Sequence, residues 1–123
     1  MSRTGLAAEV PTFDLCREMR RIPALKLAFA DATLVHIGYS LLGDETTWQI
    51  EPKRKDGKGF PAPTVREMLR YIQATWAWSI NRMSDSSMRI TINRQHVEDW
   101  SGHDITDPDA LARACIEASK AGA

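Results

Sequence analysis

The chain has 123 residues, 43% of them hydrophobic and 26% charged, the size and composition of one globular domain rather than a disordered or fibrous chain. Its 16 basic and 16 acidic side chains cancel, which excludes the overall basic excess of a protein that grips nucleic acid mainly through phosphates. A surface so close to neutrality also does little to keep copies apart and favours homo-oligomers.

Residues 1–11 lack periodicity and are expected to form a flexible arm ahead of a single domain over 12–123. Residues 1–10 hold one arginine and no sustained apolar run, so no secretory pattern is visible. No window approaches the about 18 apolar residues of a membrane span. Cys16 and Cys115 each sit among apolar residues at helical spacing, as buried small hydrophobes do. A reduced, soluble, cytoplasmic protein is expected.

Thr12 reads as an N-cap, after which Leu15, Cys16, Met19 and Ile22 recur at helical spacing opposite Arg17, Glu18, Arg20 and Arg21. Pro23 ends that helix. Residues 23–31 support two readings: Leu25, Leu27 and Phe29 alternate, whereas Ala28, Ala30 and Ala32 suit a further helical turn. From Thr33 the period falls to two. Val35, Ile37, Tyr39 and Leu41 share one face, with Leu34, His36, Gly38 and Ser40 on the other. A turn at Leu42-Gly43-Asp44-Glu45 leads into Thr46, Trp48 and Ile50, which alternate with Thr47, Gln49 and Glu51 to Pro52 and complete an antiparallel hairpin. Residues 53–63 are a loop rich in glycine, proline and positive charge.

Thr64-Val65-Arg66-Glu67 has the form of a capping box. Behind it Val65, Met68, Leu69, Ile72, Trp76, Ile80 and Met83 advance by three or four, which predicts one long helix over 64–83. Ser84-Asp85-Ser86-Ser87 breaks it. Met88, Ile90 and Ile92 then mark a third strand, and a shorter fourth runs through 97–100. Thr106 or Asp107 caps a last helix with Pro108 at its first position, whose small-residue face of Leu111, Ala114, Cys115 and Ala118 suits close packing on a sheet. The expected fold is α+β: a small antiparallel sheet packed with about three helices, in the order α-β-β-α-β-β-α.

Chemistry is sparsely signalled. His36 reads as a surface or sheet-face histidine. His96 and His103 lie near Glu98, Asp99 and Asp104, but their spacing matches no metal motif. Serine-hydrolase, phosphate-loop, dinucleotide and zinc-protease motifs are absent from the sequence. The expectation is a protein that is not an enzyme and carries no metal or cofactor. Lys53, Arg54, Lys55 and Lys58, beside Phe60, form the candidate interaction surface, read either as a solvated loop or as a contact for an acidic protein or for phosphates. Tyr71 and Trp78, seven apart on the expected helix, would form an aromatic strip, unless Trp78 is buried beneath the arm.

Several short runs carry a resemblance: Leu15-Cys16-Arg17-Glu18-Met19 with Ile22-Pro23, Phe60-Pro61-Ala62-Pro63, Glu67-Met68-Leu69 through Trp76, and Asp107-Pro108-Asp109-Ala110-Leu111-Ala112-Arg113-Ala114-Cys115. Together they resemble small proteins of tailed phages and prophages, and the phage ABA-sandwich domain, over residues 12–121. The chain departs from that pattern at 53–58 and 97–104. The family has no agreed activity, so the resemblance assigns no functional residue. It implies a phage or prophage accessory protein working in the host cytoplasm by protein–protein interaction, such as a counter-defence inhibitor of the anti-CRISPR kind. The alternative expectation is a small nucleic-acid or nucleotide binder using the basic loop.

Overall fold

The computed structural model describes residues 9–40, 46–100 and 107–120. Their elements run α1 (Phe13–Arg20), α2 (Pro23–Ala28), β1 (Leu34–Ser40), β2 (Thr46–Pro52), β3 (Phe60–Pro61), α3 (Val65–Thr75), β4 (Trp78–Arg82), β5 (Met88–Ile92), β6 (Gln95–Trp100) and α4 (Pro108–Lys120). The fold is α+β, but the strands divide between two antiparallel three-stranded sheets, ordered β2-β1-β3 and β4-β5-β6. The single sheet and the order α-β-β-α-β-β-α therefore give way to α-α-β-β-β-α-β-β-β-α.

The geometry turns on α4. Asp107 Oδ1 accepts from the backbone N–H groups of Asp109 and Ala110, so the cap expected before Pro108 is made by Asp107. Pro108, Ala110, Leu111, Ala112, Ala114, Cys115, Ile116 and Ala118 are all buried, so the helix is enclosed nearly all round rather than along one face. It packs against β6, α1, α3 and α2. Alanines let these neighbours approach closely. Met88, Ile90 and Ile92 of β5 point inward and join Met68, Ile72, Met19, Leu25 and Trp100 in the same core.

Ion pairs and caps tie the elements to this centre. Thr12 N–H donates to Asp109 Oδ1 at 3.0 Å, and Arg113 Nε donates to Glu98 on β6 at 3.2 Å. The capping box on α3 forms as expected: Thr64 Oγ1 accepts from Glu67 N–H, and Glu67 accepts from Thr64 N–H. The ambiguous segment after Pro23 is helical, because Leu25 is drawn fully into the core and Phe29 packs on Tyr71.

The long helix over 64–83 does not form. α3 ends at Thr75, Trp76 is extended at φ −133°, and Trp78–Arg82 pairs with β5. The spacing of Trp76, Ile80 and Met83 fits a helix, but Ile80 lies opposite Ile90 across a ladder. Cross-strand burial outweighs the local pattern. The fourth strand expected at 97–100 is present and begins earlier, at Gln95. Its hairpin turns through Asn93 and Arg94, both at positive φ as a two-residue turn requires.

Residues 9–11, assigned in sequence to the arm, are part of this packing: Val10 and Pro11 are buried, and Glu9 C=O accepts from Val65 N–H. Residues 1–8, the turn at 42–45 and Leu41, and residues 101–106, including His103, Asp104 and Thr106, lie outside the described residues. Since Ala114 is fully enclosed, Ala114→Leu overpacks the centre of the molecule. It is expected to lower unfolding free energy by about 1–3 kcal/mol, read from the urea midpoint at unchanged slope.

Candidate functional site: a basic and aromatic surface on the first sheet

Register decides which side chains of the first sheet meet. β1 pairs with β2 so that Gly38 faces Trp48 and His36 faces Ile50, while His36 faces Phe60 across β3. One face of this sheet therefore carries His36, Trp48 and Phe60 together. Gly38 makes room for the indole: a Cβ there would lie 3.0 Å from Trp48 Cη2 and 2.9 Å from Thr46 Cγ2.

Phe13, at the start of α1, closes this face. Its ring stacks on Trp48 at 3.9 Å between centroids and meets Phe60 edge-on at 5.1 Å. Arg20, two turns on, lies over the other aromatic partner, with its guanidinium carbon 4.7 Å from the Phe60 centroid. Trp48 nevertheless stays 39% exposed, so the cluster has a wet side as well as a buried one.

His36 is buried, not a surface histidine. Its Nε2–H donates to Pro11 C=O at 3.1 Å, and the same carbonyl accepts from the Cys16 thiol. Sequence placed it opposite Val35 and Ile37 but could not show that α1 and residues 10–11 cover that face. Burial lowers its pKa below 6.5, opposed by the bond to Pro11. Burial likewise pushes both thiols up to about 12, with Asp109 adding to the effect on Cys16, so neither cysteine is an activated nucleophile.

The basic loop is divided by the fold. Lys53 pairs with Asp31 at 3.2 Å, and its N–H donates to Thr33 C=O. Lys55 is exposed. Arg54 and Lys58 line an open groove of about 500 Å³ with Tyr39, Trp48, Gly59 and Phe60. Neither has an ion-pair partner among the described residues. Tyr39 Oη donates to Glu51, which raises the phenol pKa while nearby Arg54 opposes the rise.

Gly59 sets the position of this loop. Its φ is +104°, and a Cβ would come within 3.0 Å of His36 O and 2.8 Å of Ile37 Cδ1. The chain thus passes directly over β1 before entering β3. This close approach holds Lys58 and Phe60 at the rim.

Of the candidate surface residues, Arg54, Lys58 and Phe60 come together, Lys53 is diverted and Lys55 stands apart. Tyr71 and Trp78 form no strip, because the helix that would align them ends between them. Tyr71 packs between Phe29 and Trp76, and Trp78 lies on β4 opposite Ile92, 37% exposed. Trp48, Phe13, Arg20 and Tyr39 were missed in sequence. Gly38 in mid-strand was the available signal for a bulky cross-strand neighbour.

On the second sheet, His96 is exposed and sits 3.1 Å from Asp99 Oδ1, while Arg89 makes a two-pronged bond to the same carboxylate. Glu98 faces inward to Arg113. Adjacent strand residues alternate, so Glu98 and Asp99 lie on opposite faces, and the bulge that leaves Val97 unpaired opposite Ile90 and Thr91 brings His96 onto the face of Asp99. Among the described residues no group of three His, Cys, Asp or Glu side chains could hold a metal ion. No helix among them is long and apolar enough to cross a membrane.

No protein family, curated protein or solved structure matches this chain.

Because His36 has a lowered pKa when folded, the unfolded chain binds the extra proton first as pH falls below 6.5. Its contribution to stability is complete above 6.5 and is lost as pH falls through the lower, folded value. Urea unfolding between pH 7.5 and 5 is expected to show that loss, and His36→Gln to flatten it over the same window.

Proposed function

We propose that this protein acts by binding rather than catalysis, holding an acidic partner protein against the Arg54–Lys58–Trp48–Phe60 surface. The observation that carries the proposal is the pairing of two cations lacking carboxylate partners among the described residues with a partly exposed tryptophan stacked from behind by Phe13. Aromatic anchors beside unpaired arginine are the composition of protein-binding hot spots. The resemblance to phage and prophage proteins supports an accessory role in an infected host cell, with a host defence complex of the CRISPR type as the target. In that role the protein works in the host cytoplasm.

A second reading rests on the same exposed indole: beside Arg54, Lys58 and Arg20 it could stack a base of single-stranded nucleic acid. A fluorescence titration with polyglutamate and with oligothymidylate separates the two. Saturable polyglutamate binding is expected, weakened at least about tenfold, or about 1.4 kcal/mol, by Arg54→Glu with Lys58→Glu. Tighter, steeply salt-dependent oligothymidylate binding with no polyglutamate response would replace it with the second reading. Expression in a CRISPR-defended host is expected to restore plating of a targeted phage, and the double variant to lose that effect. Unchanged plating with the wild-type chain would refute the counter-defence role.

A further inference from the structure

On the first sheet the β1–β3 ladder stops in the middle of β1. Leu34 C=O accepts from Ala62 N–H on the β3 side, whereas Thr33 C=O accepts from Lys53 N–H on the β2 side. Backbone groups alternate along a strand, so residues 34, 36, 38 and 40 turn toward β3, and 35, 37 and 39 toward β2. β3 is only Phe60–Pro61, paired with His36 and Val35. Gly59, at φ +104°, then carries the chain off. Gly38 and Ser40 are left exposed, with their N–H and C=O groups facing an edge where no strand of the described residues pairs.

This edge is unlike those of β2 and β4, which bound their sheets over their whole length. It opens into the groove lined by Arg54, Lys58, Trp48 and Phe60. Two features of that groove select its occupant. Its backbone donors and acceptors, which no strand of the described residues pairs, ask for an extended main chain, which a strand of another protein supplies. Among the described residues that line it, the charge is positive and has no carboxylate partner, so the side chains arriving with that strand are carboxylates. Side chains of an added strand alternate, so one set reaches the Trp48 and Phe60 face while the other points to the opposite face of the sheet.

We infer that an extended acidic segment of the partner protein adds to the first sheet as a strand beside Gly38–Ser40, continuing the line that β3 abandons. The inference rests on the proposed protein-binding role and specifies how the partner is held.

The test uses the full chain and a ten-residue peptide alternating glutamate with valine and threonine, in three forms: unmodified, N-methylated at every second amide, and N-methylated at the intervening amides. A strand offers only one of the two amide sets to β1, so one methylated form is expected to lose at least tenfold in affinity and the other to bind within about threefold of the parent. Hydrogen exchange at the Gly38 and Ser40 amides is expected to slow at least tenfold on saturation, while that of Tyr39, already facing β2, stays constant. Equal affinity of the two methylated forms, or unchanged exchange at Gly38 and Ser40, would overturn strand addition. If polyglutamate still binds through Arg54 and Lys58 in that case, the protein-binding role stands and only its geometry falls. Failure of both peptide and polyglutamate to bind removes both.

Discussion

Enclosure of α4 is the constraint from which the remaining architecture follows. A helix rich in alanine has little apolar area per residue, so it contributes to stability by letting other elements come close. Eight of its residues are buried, and that requires partners on several sides. One side is taken by the sheet of β4, β5 and β6, and the others by α1, α3 and α2. The first sheet joins instead through α1 and β3. Phe13 therefore meets it at the aromatic face, and its groove remains open beyond β3.

A chain with no net charge can still present a charged surface, because its acids and bases are spent differently. Glu18, Asp31, Glu98 and Asp99 are held in ion pairs with Lys120, Lys53, Arg113 and Arg89. Glu67 and Asp107 cap helices, Asp85 closes the turn before β5, and Asp109 receives the backbone of Thr12. Among the described residues that line the groove, it is positive charge that has no carboxylate partner, in Arg54 and Lys58, with a further cation over Phe60. Bulk charge excluded a broadly basic protein, but it could not report this division.

Local chemistry made part of the fold legible. The capping box at Thr64, Pro108 at the start of α4, and the period-two runs of β1, β2 and β5 all involve neighbours within a few residues, and each element is where its signals fall. Elements fixed by distant partners were not legible. Residues 76–82 fit a helix until β5 is placed beside them. The single tally of strands hid two sheets, since nothing within either hairpin says which other strands it joins. The site was half visible for the same reason: the basic loop is contiguous in sequence, whereas Trp48, Phe13 and Arg20 reach it only through register and packing. A two-residue turn at Gly43-Asp44 would set Gly38 opposite Gln49. The observed register, one residue different, sets it opposite Trp48 and turns the indole onto the Phe13 face.

The backbone of Ala77 is clasped by Asn93: Asn93 N–H donates to Ala77 C=O at 2.7 Å, and Ala77 N–H donates to Asn93 Oδ1 at 3.3 Å. The point where α3 gives way to β4 is thus fastened by a residue that the ribosome adds well afterwards. No proline or glycine stands between Thr75 and Trp78 to stop the helix. Its end is instead imposed by a partner 16 residues further along the chain, so the boundary between α3 and β4 belongs to the second sheet and not to the helix it terminates.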